Sequence, residues 1–166
     1  RGFNKIQNME KYLEIKSLYV NDNIIQKIEN INLFSKLKSL FLQNNQITKI
    51  EGLETLVNLE VLYLSNNHIT RIENLNNLKL LSNLDLSSNQ ISDPENISEL
   101  LDNQNLCTIN LSNNLISEGG ETIIDVYKQL PCLRVVYLKQ NAVVNKIKNY
   151  RKRLLFEMPN LTYIDD

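Results

Sequence analysis

A phrase of the form Leu-x-x-Leu-x-Leu-x-x-Asn occurs six times along these 166 residues, and few folds can accommodate it. The first unit reads Ile15, Leu18, Val20, Asn23, and the second Leu37, Leu40, Leu42, Asn45. The third is Leu59, Leu62, Leu64, Asn67, and the fourth Leu81, Leu84, Leu86, Asn89. Leu106, Ile109, Leu111, Asn114 and Leu133, Val136, Leu138, Asn141 complete the series. Steps between units are 22, 22, 22, 25 and 27 residues, too regular for asparagine-rich disorder or codon bias.

Within each unit the alternation Leu40-x-Leu42 describes a short strand with one buried face. No unit can bury that face alone, so neighbours must stack at about 4.8 Å into a parallel sheet. The fold class is therefore α/β: a leucine-rich-repeat solenoid with a parallel concave sheet. Its strands fall near residues 15–20, 37–42, 59–64, 81–86, 106–111 and 133–138. The recurrent asparagines Asn23, Asn45, Asn67, Asn89, Asn114 and Asn141 sit where the chain leaves each strand. An amide both donates and accepts, so it can serve the backbone of its own turn and of the next repeat. By contrast Asn66, beside Asn67, reads as an outward residue with no such task.

The convex side is built from a second apolar series, Ile47, Ile50, Leu53, Leu56 and then Ile69, Ile72, Leu75, Leu78. In the 22-residue units there is room only for 3₁₀ turns. The longer units admit helices: Ser92 and Glu95 can form a capping box around Pro94, leading into a helix near Ile97 to Leu101. Ile123, Val126, Tyr127 and Leu130 share one helical face that Pro131 ends. A solenoid also needs its ends covered. Residues 145–166 fit a C-terminal cap, with an amphipathic helix from Ile147 to Glu157, closure at Pro159, and strand spacing again at Leu161 and Ile164. Ile6, Met9 and Tyr12 precede Ile28, Ile31 and Phe34 by 22 residues, so residues 1–166 read as one domain truncated within its array at the N-terminus.

The composition excludes most chemistry. A net charge of −1 argues against wholesale attraction to nucleic acid or membrane. The single histidine, His68, stands at a turn, which leaves no histidine-based triad or metal site. Gly119-Gly120 lacks the rest of a phosphate loop. Cys107 and Cys132 have no metal-like spacing and are expected as buried free thiols. Sequons at Asn96, Asn110 and Asn160 are chance matches in so asparagine-rich a chain, and the protein reads as intracellular. Glu29, Glu51 and Glu73 should form a surface row compensated by Lys27, Lys49 and Arg71. No enzyme, cofactor, metal or small-molecule substrate is indicated.

Function is expected on the concave face. Its central column is Tyr19, Phe41, Tyr63, Asp85, Asn110 and Tyr137, with Ser39, Ser65, Asn83 and Ser87 beside it. Three aromatics in adjacent repeats suit a protein-binding centre, although such rings also pack on one another across strands. A second charged surface is the run Lys139, Lys146, Lys148, Arg151, Lys152 and Arg153, which reads first as the wet side of the cap.

The phrases Ile28-Glu29-Asn30, Ile50-Glu51-Gly52 and Ile72-Glu73-Asn74 resemble the 22-residue leucine-rich-repeat class. It includes a regulatory subunit of protein phosphatase 1, outer-arm dynein light chain 1 and the axonemal dynein assembly factors. Gly2-Phe3, Ile6, Met9-Glu10 and Tyr12 look like the opening repeats of the dynein axonemal assembly factor 1 family. Asn149-Tyr150-Arg151 and residues Pro159 to Asp166 resemble its capping segment, whereas Ala142 departs from a proline usual there. The resemblance implies a non-catalytic, cytoplasmic factor in preassembly of dynein arms for cilia or flagella. Dynein arm subunits or assembly chaperones would be its partners. The alternative it leaves is a phosphatase regulatory subunit gripping the protein phosphatase 1 catalytic subunit.

Overall fold

The computed structural model describes residues 2–165; Arg1 and Asp166, the outermost residues of the expected domain and cap, lie outside them. Seven short strands pair in chain order as one parallel sheet: β1 Ser17–Tyr19, β2 Ser39–Phe41, β3 Val61–Tyr63, β4 Asn83–Asp85, β5 Thr108–Asn110, β6 Val135–Tyr137 and β7 Tyr163–Ile164. Register aligns Leu18, Leu40, Leu62, Leu84, Ile109, Val136 and Ile164 in one row. From Leu40 to Val136 that row is sealed from solvent, and the convex residues close over it in a single apolar core.

Each strand exit is held by its asparagine. The Asn67 amide nitrogen donates to the carbonyls of Leu42 and Leu64, both at 3.0 Å, while its oxygen accepts from Ile47 N–H at 2.9 Å. Asn45, Asn89, Asn114 and Asn141 repeat the pattern, with oxygens accepting from Ile25, Ile69, Ile91 and Ile116. At the array's start, the Asn23 oxygen accepts from Phe3 N–H. The neighbour each amide serves is the preceding repeat and not the following one. These bonds satisfy backbone groups that the turn leaves without partners in an apolar interior.

The residue before each ladder asparagine is also constrained. Asp22, Asn44, Asn66, Ser88, Asn113 and Gln140 all have positive φ, between 54° and 60°. The chain turns there through the left-handed region, which asparagine tolerates better than most residues. Asn66 is thus outward but not idle, contrary to its reading from sequence. A second left-handed series, Asn8, Asn30, Gly52 and Asn74, marks the convex turn. At Gly52 an added Cβ would lie 2.5 Å from the Ile28 carbonyl oxygen, so alanine cannot replace it without displacement.

The convex side follows expectation in the 22-residue units, where it consists of tight 3₁₀-type turns closed by bonds such as Phe34 N–H to Ile31 O and Leu37 N–H to Phe34 O. A continuous 3₁₀ helix appears at Pro94–Asp102, and its N-cap is Asp93, whose side chain accepts from Glu95 N–H. The Ser92 capping box is not formed because the chain enters the helix one residue later. Helix α1, Gly120–Lys128, buries Ile123, Ile124, Val126 and Tyr127. Gly119 and Gly120 serve packing: added Cβ atoms would approach Pro94 and Ile147 within 2.3 and 2.6 Å.

The C-terminal segment is a short 3₁₀ helix, Ala142–Lys146, followed by α2, Tyr150–Glu157. Left-handed Asn149 separates them, so the expected continuous helix from Ile147 starts three residues later. Ile147, Tyr150, Leu154, Met158 and Leu161 join the core. Arg153 clamps Glu121 through both terminal nitrogens, at 2.6 and 2.5 Å, and donates from Nε to Glu157 at 2.6 Å. Lys128 reaches Glu157 at 3.0 Å, and Lys146 pairs with Glu118. The Arg153 guanidinium holds both carboxyls below the usual carboxylate range. Asp165 follows β7, its Oδ1 accepting from Leu138 and Lys139 N–H at 2.7 and 2.9 Å. Burial, with that nearby carboxylate, raises the Tyr127 and Tyr150 phenols.

Replacing Asn67 by leucine should lower unfolding free energy by about 1–3 kcal/mol. Asn66→Leu should cost about 1–2 kcal/mol through its backbone alone, whereas Asn66→Gly should cost little. Urea unfolding of the three variants separates the causes, and a wild-type midpoint for Asn67→Leu would remove the ladder's proposed role. Deleting residues 149–166 uncovers β6 and the end of the core. Aggregation or loss of cooperative unfolding is expected, and an unchanged monomeric melting curve would show that the segment is not a cap.

Candidate protein-binding face

Strand alternation turns one residue of each three-residue strand into the core and leaves its two neighbours facing the open side of the sheet. Tyr19, Phe41 and Tyr63 occupy the same place in β1, β2 and β3, and the parallel register sets them side by side. The Tyr19 and Phe41 rings stack with centroids 4.3 Å apart and planes 4° from parallel. Phe41 meets Tyr63 edge-on at 5.3 Å. Mutual packing leaves Phe41 and Tyr63 half-buried, while Tyr19 remains 65% exposed. The rings brace one another and still present an apolar surface, so cross-strand packing and availability to a partner coexist.

Further along the column the chemistry changes. Asp85 Oδ1 accepts from Ser87 N–H and Oγ–H at 2.9 and 2.7 Å, and Asn110 Oδ1 makes the same pair with Ser112 at 3.1 and 2.7 Å. Both side chains are thereby fixed against their own strand exits. They separate the aromatic cluster from Tyr137, which tilts against Tyr163 with centroids 5.1 Å apart. Tyr163 was not among the residues singled out from sequence. Its signal was the return of strand spacing at Leu161 and Ile164. The ladder asparagines, from Asn23 to Asn141, are committed to the turns and do not line this face.

Other candidate groups lie apart. His68 is exposed, with Nδ1 at 3.2 Å from Gln90 Nε2. Cys107 and Cys132 are free thiols, half-buried instead of buried. Among the described residues, no ion pair joins the row of Glu29, Glu51 and Glu73 to the row of Lys27, Lys49 and Arg71. Arg71 instead donates to Asn96 at 3.0 Å. Longitudinal pairs one repeat apart, such as Lys36–Glu14 and Lys38–Glu60, run along the surface in their place. No helix among the described residues is long and apolar enough to cross a membrane.

Residues 14–69 match a family model described as leucine rich repeat, and residues 57–100 match one described as leucine rich repeats in two copies. The chain is a leucine-rich-repeat protein. Over 61 residues it is 52% identical to the Chlamydomonas reinhardtii leucine-rich repeat-containing protein ODA7, covering 37% of this chain and 14% of that one. Over a segment of the same length it is 40% identical to human dynein axonemal assembly factor 1, covering 37% of this chain and 8% of the relative. This leucine-rich-repeat chain therefore spans only a small part of the length of those relatives. Among solved structures, an internalin of Listeria monocytogenes superposes over 90% of this chain and 40% of its own, with 31% identity and a TM-score of 0.73. A Leptospira interrogans leucine-rich-repeat protein, 22% identical over 95% of this chain and 44% of its own, shares the fold with a TM-score of 0.66.

The two sides of β2 should respond differently to truncation. Leu40→Ala empties a sealed core position and should cost about 2–5 kcal/mol. Phe41→Ala removes a half-buried ring and one stacking contact, and should cost about 0.5–1.5 kcal/mol. Denaturant titration of both variants checks this, and equal losses would mean that the aromatic column is core, not surface.

Proposed function

We propose that this chain is a non-catalytic scaffold in the cytoplasmic preassembly of axonemal dynein arms for cilia or flagella. Its partner, a dynein arm subunit or an assembly chaperone, docks on the concave face centred on Tyr19, Phe41 and Tyr63. The observation that carries the reading is the pre-packed aromatic column on an open sheet. Stacked rings have little side-chain freedom left to lose on binding, and rigid aromatics supply most anchors at protein interfaces. Asp85, Asn110 and Tyr137 then give the far half of the face polar registration points whose rotamers are already held. The likeness to ODA7 and to dynein axonemal assembly factor 1, over about a third of the chain, supports the dynein context. The phosphatase alternative has no comparable support, since neither of those relatives is named for a phosphatase.

Recovery of tagged protein from cells building cilia or flagella tests the proposal. Dynein heavy chains or assembly chaperones should accompany the wild type, and Phe41→Ala should weaken that association by about 2 kcal/mol or more, as loss of an interface anchor does. Recovery of a phosphatase catalytic subunit in their place would overturn the dynein assignment. Full association of a folded Phe41→Ala variant would overturn the concave-face assignment.

A further inference from the structure

The charged residues on and around helix α2 divide by direction. Those facing the array are neutralised: Arg153 by Glu121 and Glu157, Lys128 by Glu157, and Lys146 by Glu118. Lys148, Arg151 and Lys152 are exposed and make no ion pair among the described residues. One helical turn below Arg151 and Lys152 stand Leu155 and Phe156, 53% and 88% exposed. Positions four apart are neighbours on a helix surface, so Arg151 lies beside Leu155 and Lys152 beside Phe156. The buried positions Tyr150 and Leu154 hold the opposite side of the helix on the core, which fixes this face outward.

Single exposed apolar residues are common, but an adjacent pair beside unpaired cations is a different surface. It has the composition of an interface centre, an aromatic and an aliphatic group with arginine at the edge. We propose that the outward face of α2 is a second docking surface, which takes an acidic protein segment carrying at least one large apolar side chain. Charge complementarity selects the partner's sign, and Leu155 with Phe156 selects against a purely ionic one. An anionic membrane fits less well. Three cations and two apolar groups on and beside an eight-residue helix make a weak anchor, and Glu118 and Glu121, held there by Lys146 and Arg153, leave this part of the surface mixed in sign. Nucleic acid gives no use to an exposed leucine, and it requires a longer run of phosphate contacts.

Fluorescence anisotropy with the whole chain tests this. The probe is a labelled acidic peptide of Asp and Glu with a central Leu and Phe. Its controls are the same peptide with both apolar residues replaced by alanine, a labelled single-stranded RNA, and vesicles containing about one-third phosphatidylserine. Saturable binding of the first peptide is expected. Phe156→Ala should weaken it by about tenfold or more, as removal of an aromatic anchor does. The double variant Arg151→Glu, Lys152→Glu should abolish it, and Phe41→Ala should leave it unchanged. That last comparison separates this surface from the concave face. Arg151, Lys152 and Phe156 lie outside the core, so melting curves of those variants should match wild type, while Phe41→Ala shows only the small loss expected of its half-buried ring. Absence of binding, binding indifferent to Phe156→Ala, or tighter binding to RNA or vesicles would overturn the proposal.

Discussion

A carboxamide that donates and accepts at once is the interaction on which the solenoid depends. Every repeat turns its chain sharply after the strand, and the turn withdraws backbone N–H and C=O groups from water before the next element can pair them. Asn67 meets four of these groups with two side-chain atoms and joins two repeats in doing so. Stacking is therefore directional: each asparagine locks its repeat onto the one before it. Apolar packing supplies most of the driving force, but packing alone would tolerate slippage along the array. The amide bonds define the register that brings Tyr19, Phe41 and Tyr63 together.

After the last described strand a carboxylate takes over the N–H groups at the exit of β6. Asp165 presents a carboxylate to two N–H groups, of Leu138 and Lys139. In earlier repeats the first bonds to a carbonyl of the next strand, as Leu111 N–H does to Tyr137, and the second to a side chain of its own strand, as Ser112 N–H does to Asn110. Acceptors alone are required there, so an acidic side chain suits the position better than an amide. The Arg153 clamp then secures the helix that lies over this end. It links residues 32 apart in sequence, joining the convex helix α1 to helix α2.

Strands, core rows and concave column were legible because six copies of one pattern leave little freedom in register. The left-handed residues were less visible, since Asn66 beside Asn67 looks like ordinary surface polarity. A clue stood in the convex series, where Gly52 alternates with Asn30 and Asn74, a substitution that positive φ explains. The engagement of Asp85 and Asn110 was also written in Asp85-Leu86-Ser87 and Asn110-Leu111-Ser112, whose spacing lets the serine reach back. In the second case the same residues spell a glycosylation sequon. Helix starts eluded pattern reading by one to three residues because Ser92 and Asp93 are both competent caps. The charge rows misled because exposed side chains pair with whichever neighbour the three-dimensional stacking brings near, and sequence spacing alone does not give that.

Unequal repeat lengths have a mechanical result. All insertions fall on the convex side, where a 3₁₀ helix and then α1 replace tight turns, while the strands keep one spacing throughout. Strands sit about 4.8 Å apart, but a helix with its side chains is about 10 Å across. Wider outer edges on a constant inner edge make wedges of the later repeats, and wedges fan. Wedging of this kind favours a tighter curl from β4 to β6 than from β1 to β3, and would give the aromatic cluster a broader bed than the polar rungs.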